Sequence, residues 1–213
     1  MREAKAMDTP KNRKEALKND FNNTWKAIFG GNVDYYSQIK DEQFPLLKNA
    51  LSCINNIITL QVTEDFVRAY APKVFSDDEV QSLMNEVMTT DANANGFDVQ
   101  YPHEHPTFIA EVKCNIPVNG NRFGAQQVSG IIKDLDYLTG NKEKTKSGCS
   151  TEDVKNAYCF MVVMEYSGSK EAMHQIVDKY NEGNEGMKVV EYHDGEQLST
   201  DAVYVVYVKP RKV

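Results

Sequence analysis

Apolar residues recur at helical spacing through the first third of the chain. They predict a helix over residues 10–29 and a second helical segment over 35–59, since both place large apolar side chains on one face. The end of the second segment, residues 55–60, fits the start of a strand equally well. A shorter pattern over 64–70 predicts one more helix. Residues 1–75 are therefore predicted to form a helical region that packs on the rest of the protein.

The pattern changes after residue 75, where short apolar strands alternate with amphipathic helices. Ser76 and Glu79 have the spacing of a capping box, which predicts the start of a helix that runs to Met88. The later segments predict, in chain order, a strand up to Tyr101, a strand at 107–114, a helix at 124–138, a strand at 157–164, a helix capped by Ser169, and strands at 187–192 and 202–208. The short loop between the last two strands favours an antiparallel pair.

This order of elements predicts a mixed α+β (α/β) fold, in which helices flank a central mixed sheet. Residues 157–164 form the longest apolar run, so we expect this strand at the centre of the sheet with both faces covered. Residues 76–213 are expected to form the core, and residues 1–75 to belong to the same structural domain. Because the longest run is far too short to cross a bilayer, the sequence favours a cytoplasmic protein with no membrane partner.

Composition and charge narrow the function classes only modestly. With 41% hydrophobic and 26% charged residues the chain resembles ordinary soluble proteins, and its four cysteines lack the paired spacing of a zinc site. The formal net charge of −7 argues against binding of nucleic acid by whole-molecule attraction. A local basic groove remains open, with Lys142 and Lys144 among its candidate residues, although a solvated surface explains these lysines as well.

A carboxylate motif lies on the two strands that precede residue 115. Asp98 begins one strand, and Glu111-Val112-Lys113 ends the next. Because side chains alternate along a strand, Glu111 and Lys113 share one face, where Asp98 can meet them across a hairpin. Two carboxylates together with substrate phosphate oxygens suffice to hold Mg²⁺, which can activate a water molecule for phosphodiester hydrolysis. A cross-strand ion pair on a solvated sheet is the alternative interpretation.

The motif resembles that of the PD-(D/E)xK nuclease superfamily, which includes many type II restriction endonucleases. Phe97-Asp98 stands for the PD pair, with phenylalanine in place of proline, and Glu111-Val112-Lys113 stands for the ExK triplet. The resemblance extends from the capping-box helix to the central strand and implies a restriction endonuclease-like fold. It also implies that Asp98 and Glu111 bind Mg²⁺, for which Mn²⁺ can substitute, and that Lys113 positions or deprotonates the attacking water.

The same resemblance suggests further residues near the site. Some relatives use a glutamate on the helix before the motif and a polar residue on the helix after it, which makes Glu86 and Gln126 candidate accessory residues. Glu79 is another candidate, although its capping box also accounts for it. Asn121 and Arg122, in the loop after the motif, are candidate contacts to nucleic acid, since arginine can bind phosphate in a bidentate manner. Simple solvation of that loop is the alternative.

The sequence therefore predicts a Mg²⁺-dependent DNA endonuclease, similar to type II restriction enzymes, that hydrolyses phosphodiester bonds with a metal-activated water. A two-fold homodimer is expected by analogy with proteins that act on both strands of a symmetric duplex site. Two alternatives stay open. One is a noncatalytic binding or interaction protein that retains the nuclease fold, and the other is a nuclease that acts in repair or on RNA.

Overall fold

Seven α-helices and a five-stranded mixed sheet make up the part of the protein that the computed structural model describes, residues 10–90, 96–118, 120–144 and 147–211. The predicted mixed α+β class is confirmed. Within these ranges, none of the helices has both the length and the apolar character that a membrane span requires.

The elements follow the predicted order, with one addition after residue 75. The helices are α1 (Pro10–Phe29), α2 (Tyr35–Gln38), α3 (Phe44–Tyr70), α4 (Asp77–Thr89), α5 (Ala125–Leu138), α6 (Thr151–Lys155) and α7 (Ser169–Glu182). The strands are β1 (Val99–Tyr101), β2 (Phe108–Lys113), β3 (Tyr158–Met164), β4 (Lys188–Glu191) and β5 (Ala202–Val208). The addition is α6, whose 5 residues are too few to show the apolar repeat that identifies a helix from sequence.

The chain divides into two compact units, Met1–Cys53 and Ile54–Val213, and the division falls inside the continuous helix α3. The second half of α3 belongs to the core of the second unit. There Phe66 stacks on Phe108 with ring centroids 5.5 Å apart. The alternative that residues 55–60 start a strand is wrong, because α3 runs unbroken from Phe44 to Tyr70.

The first unit contains α1, α2 and the first part of α3. Phe21 of α1 packs edge-on against Tyr36 of α2, with ring centroids 5.8 Å apart. Asn22 joins the same elements: its side-chain amide donates to Asp34 Oδ1 at 2.8 Å, and its Oδ1 accepts from the Tyr36 backbone N–H at 2.8 Å. Despite these contacts, no residue from 13 to 53 is buried.

The sheet of the second unit has the strand order β1-β2-β3-β5-β4. β1 runs antiparallel to β2, and the other neighbouring strands are parallel. β3 lies at the centre and is buried after its first residue, as predicted. The predicted antiparallel pairing of the last two strands is wrong, because Val189 of β4 lies beside Val203 of β5 in parallel register. A parallel pair requires the connection to run back along the length of β4. Residues 192–201 are enough for this without a helix, because β4 has only 4 residues and an extended chain spans up to about 3.3 Å per residue.

Alternation along β2 sends its side chains into two separate cores. Phe108 and Val112 face the core that includes residues of α3 and α4, whereas Ile109 faces the core that includes residues of α5 and α7. Glu111 and Lys113 follow Ile109 at intervals of two residues, so they lie on the α5 side of the sheet. Glu111 and Lys113 are therefore covered by a helix rather than placed on an open sheet face.

The outer edge of β4 is closed by a side chain. The backbone N–H of Val189 donates to Asn181 Oδ1 at 3.0 Å, and Asn181 Nδ2 donates to the Val189 carbonyl at 2.7 Å. Asn181 belongs to α7, which packs beside this strand. Its amide thus satisfies a donor and an acceptor that a further strand would otherwise use.

Candidate functional site

The register of the β1–β2 hairpin brings the motif carboxylates together. Val99 pairs with Ala110, and one further step in this antiparallel register places Asp98 opposite Glu111. Asp98 is exposed, and its Oδ2 accepts a hydrogen bond from the Val112 backbone N–H at 2.7 Å. The Asp98 side chain thus accepts a hydrogen bond from the backbone of β2 at the residue next to Glu111. This bond fixes the position of the Asp98 carboxylate beside Glu111.

Glu111 is at the centre of a compact group of charges and is only 3% exposed. Its Oε1 accepts a hydrogen bond from Lys144 Nζ, and its Oε2 lies 3.8 Å from Lys113 Nζ. Lys113 Nζ also forms an ion pair with Asp134 Oδ2 of α5 at 2.6 Å. We refer to Asp98, Glu111, Lys113, Asp134 and Lys144 as the Glu111 cluster.

Burial and neighbouring acids control the protonation of Glu111. Burial raises the pKa of its carboxyl group, the charge of Asp98 raises it further, and the ammonium group of Lys144 lowers it, with a resulting pKa of about 8. A carboxyl group with so high a pKa binds a proton near neutral pH, or else requires a cation beside it to ionise.

Lys113 responds to the same surroundings in the opposite way. Burial lowers the pKa of its ammonium group, but the charges of Glu111 and Asp134 and the hydrogen bond to Asp134 outweigh burial, so the pKa lies above its ordinary value. Lys113 consequently keeps its positive charge at neutral pH.

Lys144 reaches the cluster from the loop after α5. Its Nζ lies 4.7 Å from the ring centroid of Phe97 and 5.7 Å from that of Tyr137, so two aromatic faces support the ammonium group. The loop is tied to β1, because Gln100 Nε2 donates to the Ser147 carbonyl at 3.1 Å. These contacts hold a flexible side chain against a buried carboxylate.

The two glutamates of α4 have different positions. Glu86 lines a pocket of about 130 Å³ together with Asp98, so the structure brings this accessory candidate near the motif. Glu79 does not line that pocket, and it accepts hydrogen bonds from the Ser76 backbone N–H at 2.9 Å and the Ser76 hydroxyl at 2.6 Å. The capping box accounts for Glu79.

The remaining candidates lie outside the Glu111 cluster. Gln126 is exposed in the first turn of α5. Asn121 and Arg122 are also exposed; the Asn121 carbonyl accepts from Gln175 Nε2 at 3.4 Å, and Arg122 lines a separate pocket of about 260 Å³ formed by residues of α5 and α7. The geometry thus associates the loop after the motif with α7 and not with the carboxylates.

Sequence reasoning missed the part that Asp134 and Lys144 play in the cluster. Asp134 carried a signal, since it follows Ile131 and precedes Leu138 at helical spacing and so interrupts the inner, apolar side of α5. Lys144 carried none beyond its charge, because it lies in an irregular loop that only the fold brings back to β2.

The cluster has the donors that a hard divalent cation uses, but few of them. Among the described residues, no group of three or more His, Cys, Asp or Glu side chains is arranged to hold a metal ion. Mg²⁺ needs only one or two carboxylates when water and phosphate oxygens complete its shell. Glu111 Oε1 already accommodates a cation, the Lys144 ammonium group. Asp98 and Glu111 therefore supply the two carboxylates that such an ion requires, and the Lys144 ammonium group contacts one of them. Comparisons of the chain with family models, with curated proteins and with solved structures find no match.

Proposed function

We propose that this protein is a Mg²⁺-dependent endonuclease with a restriction endonuclease-like core, which hydrolyses phosphodiester bonds of DNA. The observation that carries the proposal is the hairpin register that places Asp98 opposite the buried Glu111, with Lys113 on the same face. Asp98 and Glu111 are the proposed metal ligands, and Mn²⁺ is expected to replace Mg²⁺ because it accepts the same oxygen ligands.

The arrangement of elements supports the proposed fold. The strand that follows Asp98 is antiparallel to the strand that carries Glu111 and Lys113, and α5, followed by the short α6, then leads to the parallel central strand β3. This is the sequence of strand, strand, helix and apolar strand on which the resemblance to the PD-(D/E)xK superfamily rests. α4 precedes it, as the resemblance also implies.

The side chains of the Glu111 cluster have different roles in the proposed reaction. When bound, a divalent ion would polarise the phosphate and lower the pKa of a coordinated water. Lys113 keeps its charge through the ion pair with Asp134, so it is suited to hold a phosphate oxygen and offset developing negative charge rather than to act as a base. Glu111 must release its proton or its contact with Lys144 before it can serve as a ligand.

A noncatalytic binding protein with this fold is the second candidate, and one observation favours it. Lys144 already donates a hydrogen bond to Glu111, and Asp134 already forms an ion pair with Lys113, so the cluster forms a satisfied network without any ligand. Under this alternative, the buried charges specify the packing of α5 and the loop after it on β2.

Cleavage assays with matched variants separate the two candidates. The full chain is incubated with plasmid, single-stranded DNA and RNA in the presence of Mg²⁺ or Mn²⁺, and compared with Asp98→Ala and Lys113→Ala. Glu104→Ala, which removes an exposed carboxylate from the adjacent loop, is the control. The proposal expects plasmid cleavage that both cluster variants lose and the control keeps. Cleavage that survives both cluster substitutions contradicts the site, and no cleavage of any substrate favours the binding protein.

A further inference from the structure

The first half of α3 carries an exposed apolar stripe. Leu46, Ile57 and Leu60 are 68%, 56% and 36% exposed. Together with Ala50 and Cys53, both also exposed, they are spaced alternately by four and three residues. We refer to these residues as the α3 stripe; Leu51 and Ile54, which are 60% and 49% exposed, extend it on one side.

The sheet buries a different side of the same helix. In the second half of α3, the buried residues are Val62, Thr63, Phe66 and Val67. At about 100° of rotation per residue, their mean direction is turned by roughly 130° from that of the α3 stripe. The contacts that bury one side of the second half of α3 therefore do not cover the α3 stripe, which lies on another side of the helix.

The stripe has the repeat of a coiled coil and lacks charge. Apolar residues in alternating steps of four and three keep one seam toward a neighbouring helix over several turns. Lys48 is the only charged residue from Phe44 to Thr63, and it lies on the side of the helix away from the stripe. A surface of this kind offers no charge to complement an acidic or basic partner.

These features point to a second copy of the chain as the partner. A two-fold interface places the same patch on both sides and would oppose like charges if the patch were charged, which this one is not. A second copy also supplies a helix with the same four–three spacing. The five large apolar side chains that α3 leaves exposed present on the order of 500 Å² per chain, so two copies together reach the roughly 1,000 Å² that a specific interface needs.

We propose that two copies of this protein associate through the α3 stripe, which forms a two-stranded helical seam. The proposal goes beyond the nuclease function and does not depend on it. It also gives the helical segment before the sheet a role, since no residue from 13 to 53 is buried within one chain.

Sedimentation velocity of the full chain tests the proposal directly. The expected mass is twice the 24.1 kDa of one chain. Ile57→Glu places two carboxylates in the seam and should raise the dissociation constant at least about 100-fold, whereas Asn56→Glu adds the same charge to the neighbouring, polar side and should change it less than about threefold. Ile57→Ala, which adds no charge, should raise it about tenfold and serves if the glutamate variant fails to fold.

Cross-linking tests the position of the seam. Cys53 is the middle residue of the α3 stripe, so aligned stripes bring it close to Cys53 of the second copy in either helix direction. Cys149 and Cys159 are buried and should not react, and the half-buried Cys114 is replaced by serine in every sample. A short bis-maleimide should therefore yield a covalent dimer that Cys53→Ser abolishes.

Three results overturn the proposal. The first is a wild-type chain that stays monomeric across the concentration series. The second is an Ile57→Glu dimer as tight as that of Asn56→Glu. The third is a dimer in which Cys53 reacts with a single maleimide but gives no cross-link. A monomer whose Cys53 resists every maleimide would show that the chain covers its own stripe, which equally excludes a second copy.

Discussion

Replacing Glu111 by glutamine should remove a pH dependence of stability that the buried carboxyl group imposes. The pKa of Glu111 in the folded protein is about 8, against an ordinary value of 4.5, chiefly because of burial and then because of the charge of Asp98. The folded state thus binds this proton more tightly than the unfolded state does. Its contribution to the free energy of unfolding is complete below the unfolded pKa and is lost as the pH rises through the folded pKa.

The size of the effect follows from the two pKa values. Each unit of difference corresponds to about 1.4 kcal/mol. Between 4.5 and about 8, the carboxyl group of Glu111 therefore removes roughly 5 kcal/mol of unfolding free energy as the pH rises. Glutamine has nearly the same shape and does not titrate, so Glu111→Gln should lack this decline.

Urea unfolding followed by circular dichroism at several pH values from about 5 to about 9 measures the difference. The stability of the wild type relative to Glu111→Gln should fall up to a pH of about 8 and level off above it. Glu104→Gln, which changes an exposed carboxyl group in a nearby loop, should follow the wild type. If Glu111→Gln shows the same decline as the wild type, the buried carboxyl group is not its source and the reasoning is refuted.

Three further substitutions test other contacts of the structure. Lys144→Met should extend the decline in stability that Glu111 imposes to higher pH, because the Lys144 ammonium group lowers the pKa of Glu111, while Lys142→Met should leave the decline unchanged; identical declines in the two variants would contradict the contact. Phe66→Ala should lower the unfolding free energy by about 3–5 kcal/mol, since the ring is fully buried; a loss below about 1 kcal/mol would contradict its place in the core. Ser76→Ala should cost about 1 kcal/mol in the same urea assay, and no change would show that the capping box contributes nothing.

The elements that the sequence predicts best are those whose local pattern and tertiary role agree. The capping box at Ser76 and Glu79 begins α4, and the apolar run 157–164 becomes the central strand. In both cases the residues that specify the element are neighbours in sequence. The prediction needs no knowledge of distant contacts.

Contacts between residues far apart in sequence were harder to predict, because no local pattern specifies them. The parallel pairing of β4 with β5 depends on the path of residues 192–201, which carry no apolar repeat. The Glu111 cluster likewise depends on α5 crossing over β2 and on the following loop returning to it, so that Asp134 and Lys144 meet a strand far away in sequence. Asp98, Glu111 and Lys113 were identifiable because a short hairpin aligns them.

The contact between Asn181 and Val189 restricts how molecules of this protein can join. A sixth strand beside β4 would have to displace both hydrogen bonds of this amide, at a cost of about 1 kcal/mol each before it gained any of its own. The sheet therefore resists lengthening from this side, including the stacking of sheets into fibrils. The proposed association through α3 leaves this edge intact, so it would not open the route by which edge strands aggregate.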